Sequence, residues 1–410
     1  MKTISFIMSL LFAATVQAQD VSSPLTEDEN REDTTTDATI DDEDYPFDIS
    51  DIEPLDASHW TIKEYGYNHY YLQSLAWQRQ TELRPHDANA WLNYFRHTRY
   101  MLMKLCISYE DKNTYLMNIL EEMEKEIPNT YEYYFCAYCT MDMGKECVYQ
   151  YAEKAIEKLP ASKRFIDYDT WFVYMHLRCD KAQYVPFAKE YLNSGIYSQE
   201  LIQQNMNELN GMKANSIFVG DGDATIIPKW LIADAMGKHQ DKLVLCYSYL
   251  ENPDYCQGIF DMLGIGKAPV FEGETYDYEE YREYMRGIIQ TIAERTGREL
   301  YFSKYNDDRV NNAWKDELYD EGLVYHYSPK YYDALKVKKH NFEKVYDLNY
   351  LLKPMDESAW KTDKNMSWWK TAEFSDLLNY YKSHDKKRYE QLYAILKNSI
   401  DRVKSVENEE

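Results

Sequence analysis

After Gly195 the chain alternates short apolar runs with longer helical ones, and this alternation limits the folds open to it more than any other feature. SIFVGD (216–221), KLVLCYSYL (242–250), RELYFS (298–303) and LVYHYS (323–328) are each six to nine residues of mainly β-branched, aromatic and aliphatic side chains. Between them lie IPKWLIADAMG, PDYCQGIFDMLG, YEEYREYMRGIIQTIAERTG and NNAWKDELYDEG, which carry helical periodicity, with Gly237 and Gly297 placed as helix stops. Strands separated by ten to twenty helical residues require crossover connections, so the expected domain is a Rossmann-like, mainly parallel α/β layer over 211–350.

The preceding stretch has no such runs. In 59–210 the spacing predicts helical hairpins, the first broken at Pro85 and the second bracketed by Pro128 and Pro160 with a break near Asp142 to Lys145. A third pair is expected from YDTWFVYMHLRC and QYVPFAKEYLNSG, and NSGIYSQELIQQNMNELN reads as a linking helix. The two prolines lie 32 residues apart, close to the tetratricopeptide period of about 34. A single hairpin leaves an apolar face uncovered, and stacked hairpins bury it. The expected class is therefore α plus α/β: tetratricopeptide-like hairpins, then the sheet domain, then a C-terminal helical segment over 351–410.

The start of the chain reads differently again. Lys2, the apolar run Ile4 to Val16 and the small-residue site Val16-Gln17-Ala18 match a secretory signal over 1–18, with a mature start at Gln19 or Asp20. Residues 20–56 hold fifteen Asp and Glu against Arg31 alone, so 19–58 is expected to be an acidic disordered linker. The whole chain has a net charge of −24. With no basic patch, nucleic acid and anionic membrane surfaces are poor partners. No later run offers the ~18 apolar residues of a membrane helix, so the mature chain is expected to be exported to the periplasm or beyond with no transmembrane segment. Seven cysteines leave at least one without an intrachain partner. Cys136 and Cys139 have no matching second pair for a metal, and read as small core residues on a helix.

Chemistry concentrates in one place, the turn after the first apolar run. Asp221 and Asp223 fall at the carboxyl end of that strand, where open α/β sheets bind ligands. Gly220 and Gly222 allow a sharp turn or a close approach. Two carboxylates so placed can hold Mg²⁺ with phosphate oxygens completing the shell. Asp221-Gly222-Asp223-Ala224-Thr225 resembles the DxDxT loop of haloacid dehalogenase-like phosphatases. That resemblance implies Asp221 as nucleophile, Asp223 as acid/base, Ser248 as a phosphate-binding hydroxyl, Asp307 and Asp308 as further metal ligands, and Lys304 as the family's lysine. Gly220 departs from the family's apolar residue, and the interval from Asp221 to Asp308 is short for that fold. The same loop is also a strand-to-helix turn of a kind common in α/β folds. Its GDGDAT lacks the third glycine of a dinucleotide site and the Gly-Lys-Ser/Thr of a P-loop. Forty tyrosines and nine tryptophans are read first as packing and second as a surface for glycan or peptide.

A wider likeness covers 210–350. The run 214–255 is similar to the soluble tail of a bacterial membrane-protein family described as protein O-mannosyltransferase-like. Gly220, Asp221, Asp223, Thr225, Pro228, Trp230, Ser248, Leu250 and Asn252 stand in comparable places, as do Glu321, Gly322, Leu323, Tyr325 and Pro329. The membrane-spanning part, which would carry transfer chemistry, is missing. The resemblance therefore implies a stand-alone accessory module rather than a transferase. The expected function is a non-enzymatic binding or scaffold protein of the envelope without cofactor, its partner a peptide, glycan or protein and its ligand site Gly220, Asp221, Gly222, Asp223, Thr225 and Ser248. The alternative is a Mg²⁺-dependent hydrolase using Asp221, Asp223 and Ser248.

Overall fold

A computed structural model of the chain describes residues 52–57, 65–140, 146–160, 181–195, 197–271, 278–306, 308–348, 350 and 374–407. The described chain is mostly helical, with one small mixed sheet of five strands. Contacts divide it into two compact units, one holding 52–57 with 65–140 and the other running from Met141 onward. The helices from Glu146 to Gly211, expected with the hairpins, group with the sheet. The expected signal, most of the acidic linker and the helix YDTWFVYMHLRC fall outside the described residues. Among those described, no helix is long and apolar enough to cross a membrane.

The smaller unit contains α1 (Tyr67–Leu83), α2 (Ala88–Met103), α3 (Tyr109–Glu126) and α4 (Tyr131–Thr140). The break at Pro85 falls as expected. Helix α1 ends at Leu83, Asp87 caps α2 by accepting from Asn89 N and Ala90 N, and Trp91 Nε1 donates to Pro85 O at 2.7 Å. Phe95, Leu92, Met123 and Phe135 are buried at the centre.

The last residues of the acidic linker, 52–57, are described and dock on the helices. Glu53, Leu55 and Ala57 present their main chain to α1 and α2, as alternate residues of an extended run do. Leu55 N donates to Gln73 Oε1 (2.8 Å), and Gln73 Nε2 donates to Glu53 O (3.1 Å). Leu55 O accepts from Trp77 Nε1 (2.8 Å) and His97 Nε2 (3.0 Å), while Ala57 N donates to Asn93 Oδ1 (2.7 Å). Ordering a residue costs about 1–2 kcal/mol, and a hydrogen bond returns about 1 kcal/mol net. Such bonds alone hold a run of this length only loosely.

In the larger unit, α5 (Glu146–Lys158), α6 (Lys181–Asn193) and α7 (Gln199–Gly211) precede the sheet. The sheet comprises β1 (Ile217–Gly220), β2 (Leu243–Cys246), β3 (Leu300–Ser303), β4 (Leu318–Asp320) and β5 (Val324–Tyr327), in the order β2-β1-β3-β5-β4. Strand β1 pairs in parallel with β2 and β3, and every residue of β1 and β3 is buried. The other half is antiparallel, β5 against both β3 and β4. This corrects the expectation of a mainly parallel, four-stranded layer. The tight turn at Glu321 to Leu323, with Gly322 at φ 117°, joins β4 to β5, and so short a link can only reverse the chain. Strand β4 itself lies in NNAWKDELYDEG, which was expected to be a helix throughout.

The helices beside the parallel strands are α8 (Asp223–Trp230), which continues as a π-helical turn over Leu231–Ala235, then α9 (Tyr247–Leu250), α10 (Pro253–Leu263) and α11 (Tyr278–Thr296). Trp230 Nε1 donates to Val244 O at 3.1 Å, fastening α8 to the edge strand β2. Asn252 caps α10, accepting from Asp254 N and Tyr255 N. Trp230 and Asn252 thus have packing and capping roles.

Candidate functional site

Strand β1 ends at Gly220, with β2 parallel to it on one side and β3 parallel to it on the other, so the chain that leaves β1 toward β2 must later cross over to reach β3. The carboxyl ends of β1 and β3 therefore flank the switch point of the parallel half. Gly220 is required there by space: a Cβ would stand 2.8 Å from Ile226 Cδ1, 2.9 Å from Phe218 Cε1 and 3.0 Å from Thr225 Cγ2. Gly222 is required by conformation, with φ 80° and ψ 148° as the residue that leads into α8 and open space where a side chain would go. Gly222 O accepts from Thr225 N and Ile226 N, closing the first turn.

Asp221 is buried, and its Oδ1 is heavily committed. It accepts from Ser248 N at 3.2 Å, from the Ser248 hydroxyl in a short hydrogen bond, and from the Cys246 thiol at 3.9 Å. The structure thus brings together Asp221 and Ser248. The contact is a fastener, however. Ser248 lies in the first turn of α9, two residues beyond the strand end at Cys246, so Asp221 caps the turn that follows β2. Oδ1 of the carboxylate is thus directed toward the turn after β2. Between the ends of β1 and β3, Asn306 Nδ2 donates to Val219 O at 3.2 Å and to Asn311 Oδ1 at 3.1 Å.

The other expected site residues divide clearly. Thr225 is buried in α8, and its carbonyl accepts from Lys229 Nζ at 2.9 Å. Asp223 is the first residue of α8 and Asp308 the first of the short helix α12 (Asp308–Asn311), but their side chains, like the whole of Asp307, lie outside the described structure. Lys304 is paired with Asp320 Oδ1 at 2.8 Å, on the antiparallel side of the sheet. Among the described residues no three His, Cys, Asp or Glu groups gather as a metal centre. Cys106, Cys136 and Cys256 are free thiols. Burial pushes the Cys136 thiol well above its ordinary range and the Cys256 thiol up to about 11.

Below this loop sits a polar core that the sequence pattern did not reveal. Lys229 Nζ is fully buried and lies 2.7 Å from Glu208 Oε2, itself fully buried, and 2.5 Å from Asn205 Oδ1. The ammonium also stands 4.4 Å over the Phe218 ring. On the same helix α7, Asn207 exchanges two hydrogen bonds with the backbone of Asp347, at 2.8 and 2.9 Å. The signal available was Asn205 and Glu208, three apart in a helix of strong apolar periodicity. Protein-family models, curated proteins and solved structures give no match to this chain.

Proposed function

We propose that this chain is an exported, non-enzymatic binding or scaffold protein of the bacterial cell envelope that offers a helical surface to a peptide, glycan or protein partner. The observation that carries this reading is the commitment of Asp221 Oδ1 to Ser248 and Cys246. A phosphatase nucleophile needs an oxygen aimed at an incoming phosphorus, with the serine hydroxyl free to bind phosphate. Here that hydroxyl is spent on the carboxylate, and both groups serve to lock β1 to the turn after β2. The paired helices α1 and α2 support a tetratricopeptide-like reading of the smaller unit, and the β2-β1-β3 half supports a Rossmann-like origin for the sheet. The signal-like opening supports export.

The alternative, a Mg²⁺-dependent phosphatase-like hydrolase, draws on the meeting of Asp221 with Ser248. Hydrolysis of p-nitrophenyl phosphate with Mg²⁺, wild type against Asp221→Asn, separates the two. The binding reading expects background turnover in both proteins and no shift of the thermal midpoint with millimolar Mg²⁺. Turnover that is present in the wild type and lost in the variant would overturn it.

A further inference from the structure

Resting on the binding reading, we propose that the surface between α1 and α2 is a site for an extended peptide of another polypeptide, gripped by its main chain, and that residues 53–57 are a tethered occupant which that partner displaces. The Gln73 carboxamide accepts from the N–H of residue 55 and donates its own N–H to the carbonyl of residue 53, the pair of bonds a neighbouring β-strand would supply. Trp77 and His97 converge on the carbonyl of residue 55, and Asn93 takes the amide of residue 57. The tautomer of His97 follows from this contact, because a carbonyl oxygen requires a proton on Nε2.

The side chains of the occupant define what else is read. Asp56 Oδ1 accepts from Asn93 Nδ2 at 2.9 Å and Asn89 Nδ2 at 3.4 Å, and Ala57 is buried. Leu55, the large aliphatic side chain at the centre of the grip, is 49% exposed. A strap meant only to stabilise the helices would bury that leucine, since apolar burial is the stronger fastening. Instead the helices spend Gln73, Asn93 and His97, three polar side chains in the middle of helical segments, on main-chain groups that any sequence offers. The ligand class is thus an extended segment in which an aspartate is followed by a small residue, with a free choice two positions before the small one.

The test uses the full chain and a fluorescein-labelled synthetic peptide of sequence DIEPLDAS, read by anisotropy. In wild type the tethered copy competes, so the apparent affinity is reduced by the fraction of empty sites. The double variant Asp56→Arg, Ala57→Arg loosens the tethered copy without altering the groove, and is expected to bind the probe at least about tenfold more tightly than wild type. Adding Asn93→Leu to that variant is expected to abolish binding. A probe with serine in place of leucine should bind equally well, and one N-methylated at the leucine amide should not bind. Absence of probe binding to the folded double variant overturns the proposal, as does equal loss with the serine and the N-methyl probes. Should the double variant not fold, hydrogen exchange on wild type decides: the Leu55 and Ala57 amides are expected to lose protection under saturating probe, and unchanged protection overturns the proposal. Neither readout involves Asp221, so failure here leaves the phosphatase comparison to judge the broader reading.

Discussion

Lys229 and Glu208 form an ion pair at 2.7 Å with neither side chain exposed to solvent. Burial pushes the Lys229 amine below its ordinary value, and the charge and hydrogen bond of Glu208 work against that shift. Replacing Glu208 with Gln strands the ammonium, and a loss of about 3–5 kcal/mol is expected in chemical denaturation. A lysine with a depressed folded pKa gains stability as pH rises toward its unfolded value near ~10.4, so the deficit of this variant should shrink at alkaline pH. The double variant Glu208→Leu, Lys229→Met should recover most of the loss.

The helical unit should weaken in acid through His97. Burial holds this imidazole down at about 4 from an ordinary 6.5, with His69 and Arg96 adding to the effect and Asp56 and the Leu55 carbonyl opposing it. Its Nδ1 is buried with no hydrogen-bond partner among the described residues, so a second ring proton has nowhere to go. Between pH 6.5 and about 4 the unfolded chain takes up a proton that the folded chain refuses, and stability falls with pH by at most about 3 kcal/mol. His97→Gln keeps a donor for Leu55 O, and should flatten the dependence of the thermal midpoint on pH over that window.

Gly220 and Gly222 should fail for different reasons when changed to alanine, each by about 1–3 kcal/mol. The first variant overpacks against Ile226 Cδ1, so Ile226→Val should relieve part of its cost. The second strains only the backbone, at φ 80°, and Ile226→Val should give it no relief. A double-mutant cycle on the urea midpoint measures the coupling.

Asp320 should matter far more than Asp376. Lys304 Nζ and Lys338 Nζ, both on nearly buried side chains, lie 2.8 and 2.9 Å from its two oxygens. Asp320→Asn removes the charge that both share, and a loss of about 3 kcal/mol is expected. Asp376 also meets Lys338, at 3.0 Å, but its side chain is half exposed, and Asp376→Asn should cost no more than about 1 kcal/mol.

The parallel half of the sheet was legible because its strands are buried on both faces. IFVG and LYFS read as continuous apolar runs, and Gly237 and Gly297, both at positive φ, mark helix stops where expected. KLVLCYSYL overran because a short apolar run looks alike in a strand and in the helical turn after it, and only Asp221 reaching Ser248 fixes the boundary at Cys246. Strand β4 was hidden because Leu318 to Asp320 owes its conformation to pairing with β5, a tertiary effect. Within the candidate loop, Ser248 was linked to Asp221 only through the phosphatase resemblance, and a motif carries no direction for the hydroxyl, which here donates to the carboxylate. Lys229, Glu208, Gln73 and Asn93 were invisible for a common reason: a polar residue reads as solvent-facing until its partner is known.

The grip on residues 53–57 has a further consequence at its outer side. With the main chain of 53, 55 and 57 turned toward the helices, that of 54 and 56 turns away, as alternation along an extended run requires. Position 54 is a proline, which has no N–H to offer, and position 56 carries a carboxylate. A captured segment normally becomes a fresh edge on which the next chain can build, the first step of a growing fibre. Here the outward edge lacks the donor at position 54, one of its two, and an edge interrupted by proline is a poor template for a further strand.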